Sequence, residues 1–245
     1  MYKISLIRKD KNYTSFLGLA DVSAVKLEEL TTLFLSADEI SAFNSIKGDN
    51  NRKNFLKSRF ITKLTVAQHF SKADLTSIQL RHGVFDFPLI ECRELPAVQV
   101  SISHSGDTVA CIVFPDEHPM AIDVEEIKEG SKDEIATQIT KEEKELFKGL
   151  SENEDTFFTR LWTIKEALSK VLKTGMTASF ELYKIDSIKH NNGFCLSTFT
   201  NFIQYKAVSY NYGNSIVTVV LPERTEWRYE KIKQIEHTHN KNIIL

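Results

Sequence analysis

Asp123 and Glu125 stand two residues apart in Ala121-Ile122-Asp123-Val124-Glu125, and Glu166 and Lys170 stand four apart in the segment from Trp162 to Lys170. Read as a strand, the first segment puts Asp123 and Glu125 on one face and Ile122 and Val124 on the other. Read as a helix, the second places Glu166 and Lys170 one turn apart on a shared face. Three carboxylates with flanking lysines are the parts needed to hold a hard divalent cation against a phosphate. Clustered carboxylates repel, and a bound Mg²⁺ is the usual physical reason to tolerate them. A phosphate-handling enzyme is the leading reading.

Each segment also has a plainer reading. Glu166 and Lys170 could form an ordinary ion pair on a solvated helix face, worth ~0.3 kcal/mol. Asp123 and Glu125 could be a strand end reaching solvent, with Glu126 continuing the acidic run. Trp162 on the same polar face argues against full solvation. A third segment, Ser101-Ile102-Ser103-His104-Ser105, offers small hydroxyls, a turn backbone and an imidazole. Such a set can bind a phosphate or a ribose hydroxyl, while a lone turn histidine can equally be an exposed residue. There is no Gly-rich phosphate loop and no dinucleotide fingerprint. The Cys and His spacings fit no common zinc motif.

The elements that must position these residues follow from periodicity. Strands are expected over Lys3–Ile7 and Tyr13–Leu19, a helix over Lys26–Leu35, and a capping box at Ser36-Ala37-Asp38-Glu39 opening another helix. Gly48-Asp49-Asn50-Asn51 is expected to break it, before a long helix from Arg52 to Phe70 whose stripe is Phe55, Leu56, Phe60, Leu64 and Ala67. Strands are then expected over Ser77–Leu80, Val98–Ser103, Thr108–Phe114 and Met120–Glu125, with a hairpin turn at Ser105-Gly106-Asp107. Pro115 and Pro119 bracket a linker that divides the chain into residues 1–117 and 118–245.

In the second part, Lys132–Ile139 reads as a helix and Thr140-Lys141-Glu142-Glu143 as another capping box. Ser151-Glu152-Asn153-Glu154 opens a long helix reaching Lys173 and closed by Gly175. Its core stripe is Phe157, Leu161, Ile164, Leu168 and Val171; Lys165 flanks the opposite, polar side. Strands are expected over Phe180–Ile185, Phe194–Phe199, Ile203–Ser209 and Ile216–Leu221, with a charged peripheral tail after Pro222, in which His237-Thr238-His239 is solvated. Both long helices carry a faint common pattern: Phe55, Arg59 and Lys63 in one, Phe157, Arg160 and Lys165 in the other. The expected fold is therefore α+β, two similar halves with antiparallel strands around one long helix.

A formal net charge of −2 gives no global basic field, so nucleic acid is not an expected partner. No apolar run approaches the ~18 residues of a membrane span, and Met1–Arg8 reads as a first strand rather than a signal peptide. Cys92, Cys111 and Cys195 are odd in number and far apart, which suits a reducing cytoplasm rather than a disulfide framework. Cys111 sits in an apolar run as a small buried thiol.

Taken in order, Ser101–Ser105, Ala121–Glu125 and Trp162–Lys170, with its Lys-Glu-Ala-x-x-Lys core, resemble the 4′-phosphopantetheinyl transferases of the surfactin-synthetase type. Arg52, Phe55 and Arg59 extend the resemblance to nearly the whole chain. It implies a pseudo-dimeric α+β fold with coenzyme A and Mg²⁺ in the cleft between halves, and the internal pairing of halves suggests a monomer. The reaction implied moves the phosphopantetheine arm of CoA to a serine of an apo acyl or peptidyl carrier protein, releasing 3′,5′-ADP. Asp123, Glu125 and Glu166 would ligate Mg²⁺, and Glu166 would also be the general base. Lys170 and Lys165 would stabilise charge on the phosphates, and Ser103, His104 and Arg52 would contact the adenosine 3′-phosphate region. The chain departs from the family pattern in two places. Asp86-Phe87-Pro88 stands where a Gly-Lys-Pro segment is common, and the helix after Ser36 carries Glu39, Ala42 and Phe43 in place of basic residues. Arg52 and His104 are left to hold more of that phosphate. The rival readings are another Mg²⁺-dependent nucleotide phosphotransferase or hydrolase, and a catalytically silent carrier-binding module.

Overall fold

Among the described residues, twelve strands and seven α-helices are laid out in two units, residues 1–117 with 226–231, and residues 118–225. The computed structural model describes residues 1–71, 74–83, 87–93, 95–149, 152–191 and 193–231. Asp86, Ser151 and the His237-Thr238-His239 segment lie outside the described residues.

The first unit is an antiparallel sheet in the order β12-β1-β2-β6-β5-β4-β3. Its strands are β1 (Tyr2–Ile7), β2 (Asn12–Asp21), β3 (Gln79–His82), β4 (Pro88–Glu91), β5 (Gln99–Ser105), β6 (Thr108–Phe114) and β12 (Glu226–Lys231). All seven residues of β6 are buried, as its β-branched, continuously apolar sequence requires of a strand paired on both edges. The expected helix over Lys26–Leu35 is instead two short ones, α1 (Ala24–Glu29) and α2 (Thr31–Phe34), parted at Leu30. Leu30 departs from helical dihedrals, yet its N–H still bonds the Leu27 carbonyl, so the apolar spacing survives the break.

Ser36 opens α3 (Ala37–Ser45) with the expected capping box. The long helix α4 (Asp49–Phe70) begins three residues earlier than its periodicity suggested, because Gly48, at φ +87°, makes the entry turn and leaves Asp49 to favour the helix N-terminus. Asn50 and Asn51 are thus helical rather than breakers. Helix α4 lies on β2 and β6. Gly18 on β2 marks the closest approach: a Cβ there would sit 2.2 Å from Thr65 Oγ1 and 3.0 Å from Ile61 Cδ1.

The second unit has strand order β7-β11-β10-β9-β8, again antiparallel. The strands are β7 (Ala121–Glu126), β8 (Ile185–Asn191), β9 (Phe194–Phe199), β10 (Tyr205–Tyr212) and β11 (Ser215–Pro222). Helices α5 (Ser131–Ile135), α6 (Lys141–Glu145) and α7 (Glu154–Leu172) intervene between β7 and β8. The expected helix to Ile139 stops at Ile135 and continues only as a 3-10 turn, Ala136–Gln138. Asn153 caps α7 by accepting the Thr156 N–H at 2.8 Å. Lys173, at φ +55°, rather than Gly175, takes the left-handed closing position. Phe180–Tyr183, expected as strand, is a 3-10 turn opened by the Ser179 hydroxyl accepting the Glu181 N–H.

The residues after Pro222 are not peripheral throughout. Glu226–Lys231 pairs antiparallel with β1, from Tyr2 opposite Lys231 to Ile7 opposite Glu226. Its mostly exposed edge residues explain why its sequence carries no burial pattern.

The two units share a frame. In the first, the helices lie between β2 and β3 in the order β2-β6-β5-β4-β3; in the second, between β7 and β8 in the order β7-β11-β10-β9-β8. Among the described residues no helix is long and apolar enough to cross a membrane.

Candidate active site

Strand β7 enters the sheet edge beside β11, with Asp123 opposite Thr218 and Glu125 opposite Ile216. Its alternation puts Asp123 and Glu125 on one face. Asp123 is buried, while Glu125 is half-buried toward the strand end. Helix α7 packs across β7 and β11. The threonine pair Thr163 and Thr218, 2.7 Å apart, pins the helix to the strand next to Asp123. The helix stripe Phe157, Leu161, Ile164 and Leu168 is fully buried, as its spacing required.

Lys170 reaches back over the strand. Its Nζ donates to Asp123 Oδ1 at 2.7 Å and to the Ile122 carbonyl at 3.2 Å. Glu166, one turn earlier, is half-buried. Burial first, then the negative charges of Asp123 and Glu125, push its carboxyl up to about 7, against the opposing pull of Lys170. The three carboxylates therefore share one electrostatic neighbourhood. Among the described residues, no group of three His, Cys, Asp or Glu side chains converges tightly enough to ligate a metal ion as it stands. The donor chemistry nevertheless suits a hard cation: all-oxygen ligands whose mutual repulsion a divalent charge would relieve.

A cavity of about 600 Å³ opens beside them, lined by Glu125, Glu126, Lys128, Ile135, Trp162 and Phe180 among others. Trp162 and Phe180 stack with centroids 5.0 Å apart at 21°. Trp162 is thus a wall of this cavity rather than a residue of a solvated face. Asp123 and Glu166 are not among its lining residues; Glu125 links the two features.

Lys165 lies elsewhere. Its side chain is fully buried, with Nζ 2.8 Å from Glu143 Oε1 and 2.9 Å from Oε2, and it donates to the Phe180 carbonyl at 3.1 Å. That placement corrects the expectation of a lysine facing phosphates, since the helical wheel could not see the partner waiting at Glu143.

The remaining expected residues belong to the first unit. Ser103 is buried and His104 exposed near the end of β5, where Ser105 faces Thr108 across the Gly106-Asp107 turn. Lys57 of α4, a residue with no motif around it, holds that turn by donating to the Gly106 carbonyl at 2.9 Å and Asp107 Oδ1 at 2.8 Å. The ammonium keeps the Asp107 carboxyl below the usual carboxylate range. Arg52 is engaged locally. Its Nη1 donates to the Phe43 carbonyl at 3.1 Å, its guanidinium lies 3.9 Å over the Phe43 ring, and Nη2 is 3.7 Å from Glu28 Oε1. A phosphate contact at Arg52 has to share the guanidinium with the end of α3. Sequence reasoning passed over Lys57, Glu143 and Phe180; only Glu143 carried a signal, as the third helical residue of the Thr140 capping box.

The match to a known family falls in the second unit. Residues 119–220 match the profile of the 4′-phosphopantetheinyl transferase superfamily. Over 87 residues the chain is 34% identical to "4′-phosphopantetheinyl transferase psf-1" of Bacillus pumilus, a match spanning 35% of this chain and 36% of that protein. The chain thus spans about a third of that relative's length. Among solved structures it is similar to a holo-(acyl-carrier-protein) synthase from Bacillus anthracis in complex with CoA (3′,5′-ADP), with TM-score 0.36, 17% identity, and 45% of this chain and 96% of that one covered. It is also similar to the Helicobacter pylori holo-[acyl-carrier-protein] synthase in complex with coenzyme A, with TM-score 0.32, 17% identity, and 40% and 96% covered.

Proposed function

We propose that this chain, whose residues 119–220 match the 4′-phosphopantetheinyl transferase superfamily, transfers the phosphopantetheine arm of coenzyme A to a serine of an apo acyl or peptidyl carrier protein. It acts as a monomer in the cytoplasm and depends on Mg²⁺. The observation that carries the reading is the clustering of Asp123, Glu125 and Glu166 beside Lys170, whose Nζ lies 2.7 Å from Asp123 Oδ1, inside the segment that matches the superfamily.

A serine hydroxyl is a weak nucleophile at neutral pH and needs a base beside it. Glu166, crowded by burial and by Asp123 and Glu125, is the carboxylate placed to accept that proton, and a bound cation would hold it in the ionised form that the base needs. Glu166 takes the hydroxyl proton, directly or through one water. The serine oxygen forms a bond to the pantetheine-side phosphorus as the bond from that phosphorus to the bridging oxygen breaks. The electron pair leaves with 3′,5′-ADP. Asp123, Glu125 and Glu166 would hold Mg²⁺, which supplies charge neutralisation at the pyrophosphate. Lys170 keeps Asp123 aimed and adds positive charge beside it. Ser103, His104 and Arg52 serve the adenosine 3′-phosphate end, with Lys57 bracing the turn that follows His104.

The test is intact-mass measurement on a panel of apo-carriers incubated with CoA and Mg²⁺. Gain of one phosphopantetheine arm on a carrier supports the reading. Nucleotide cleavage without carrier modification would assign a hydrolase instead, and binding without either product would assign a silent carrier-binding module.

A further inference from the structure

We infer that Lys165 and Glu143 form a buried positioning hub for the site, fixing Glu166 and the Trp162–Phe180 wall, rather than contributing a ligand for the substrate's phosphates. The inference rests on the transferase reading above. Both side chains are 0% exposed. An ammonium has three hydrogens to donate, and Lys165 faces three acceptors: both Glu143 oxygens and the Phe180 carbonyl. Nothing remains for a phosphate. Glu143 in turn accepts the Thr140 N–H at 2.9 Å and the Ile185 N–H at 2.8 Å. One ion pair thus ties together the start of α6, the middle of α7, the 3-10 turn at Phe180 and the start of β8.

The position of this hub gives it consequence. Glu166 is the next residue after Lys165. Trp162 lies one turn earlier and stacks on Phe180, the residue whose carbonyl Lys165 holds. The rotation of α7 about its axis and the closure of the cavity wall are therefore set by the same buried charge.

The first unit supplies an internal control. There Lys63 of α4 donates to the Phe34 carbonyl at 2.7 Å and pairs with Glu39. Glu39 is likewise the third residue of a capping box, and it accepts the Ser36 N–H at 2.9 Å and the Leu80 N–H at 3.4 Å. With Lys63 aligned on Lys165, Leu64 stands in the place of Glu166. Counted from the turns at Gly106-Asp107 and Gly213-Asn214, the sheet registers put Gly18 and Ala20 where the second unit has Asp123 and Glu125. The hub persists where every carboxylate of the site is missing. It belongs to the frame, and only in the second unit does the frame aim a reactive group.

The test uses the full chain with Trp227→Phe, so that emission reports Trp162 alone, since the chain has two tryptophans. Lys165→Met, Glu143→Gln and the double variant are compared, the double variant leaving no uncompensated buried charge. Thermal midpoint, kcat and KM for CoA, and Trp162 emission are measured. We expect the double variant to fold, kcat to fall at least tenfold in Glu143→Gln and in the double variant, KM for CoA to move less than threefold, and Trp162 emission to shift as it leaves Phe180. A tenfold rise in KM for CoA in Lys165→Met, with wild-type kinetics in Glu143→Gln, would restore the phosphate-ligand role and overturn the inference. Wild-type kcat and emission in the double variant would also overturn it. If the unaltered chain modifies no carrier, the transferase reading fails by itself, and the hub is judged on Trp162 emission, an unchanged spectrum counting against it.

Discussion

Replacing Glu166 with Gln should stabilise the protein in alkaline solution while stopping the reaction. The folded carboxyl titrates near 7 against an ordinary 4.5, so the folded state binds the proton more tightly than the unfolded chain. A raised folded pKa contributes stability that is fully present below the unfolded value and is lost as pH rises through the folded one. The full shift corresponds to roughly 3.4 kcal/mol at 1.36 kcal/mol per unit. Glu166 is only half-buried, and solvent screening reduces the usable figure to ~2 kcal/mol. Gln copies the protonated form at every pH. Wild type and Glu166→Gln should therefore melt together at pH 4 and separate progressively between pH 4.5 and 7. At pH 8, without divalent cations, the variant should be higher by about 4–8 °C for a chain of this size. Calorimetric scans at pH 4, 6 and 8 in the presence of chelator measure this directly. A pH-independent difference, or a variant less stable than wild type at pH 8, would show that Glu166 is not a repelled buried carboxylate. Added Mg²⁺ at 100 times its dissociation constant should return ~2.7 kcal/mol to wild type at pH 8 and much less to the variant.

Other perturbations test the supporting geometry. Lys57→Met releases the Gly106-Asp107 turn and should raise KM for CoA about tenfold with kcat within threefold, read from initial rates with CoA varied. Lys63→Met leaves Glu39 paired with Arg59 Nε, 3.5 Å away, and should cost ~1–3 kcal/mol in urea unfolding, whereas Lys63→Met with Glu39→Gln removes the pair together and should cost less than the sum of the two single changes. Gly18→Ala drives a Cβ to 2.2 Å from Thr65 Oγ1 and should cost ~1–3 kcal/mol by the same measurement, with Thr65→Ala partly restoring it.

Much of the site was readable because it depends on local rules. The alternation at Asp123 and Glu125, the one-turn spacing of Glu166 and Lys170, and the capping boxes at Ser36 and Thr140 all express short-range geometry, and the structure keeps them. What could not be read depends on partners distant in sequence. Lys165 flanks the polar side of its helix by angle, and only Glu143, 22 residues before it, turns that position inward. Lys57 looks like a surface lysine until the turn 50 residues later closes over it. The segment from Phe180 has apolar content enough for a strand, yet the Ser179 hydroxyl and the Lys165 bond to the Phe180 carbonyl hold it as a turn. Strand β12 has an edge strand's polar sequence, so its place is fixed by backbone pairing with β1 rather than by any apolar pattern. Arg52 was read for its charge; the Phe43 ring and carbonyl that occupy it lie on another helix.

The central claim is that Glu166, with Asp123 and Glu125, drives transfer of the phosphopantetheine arm from CoA to a carrier serine. Peptide mass spectrometry of one apo-carrier, treated with wild type, wild type plus chelator, and Glu166→Ala, tests it most directly. Modification of a single serine by wild type alone, with one 3′,5′-ADP released per carrier, is the predicted result. Equal loading of that serine by a folded Glu166→Ala variant would contradict it.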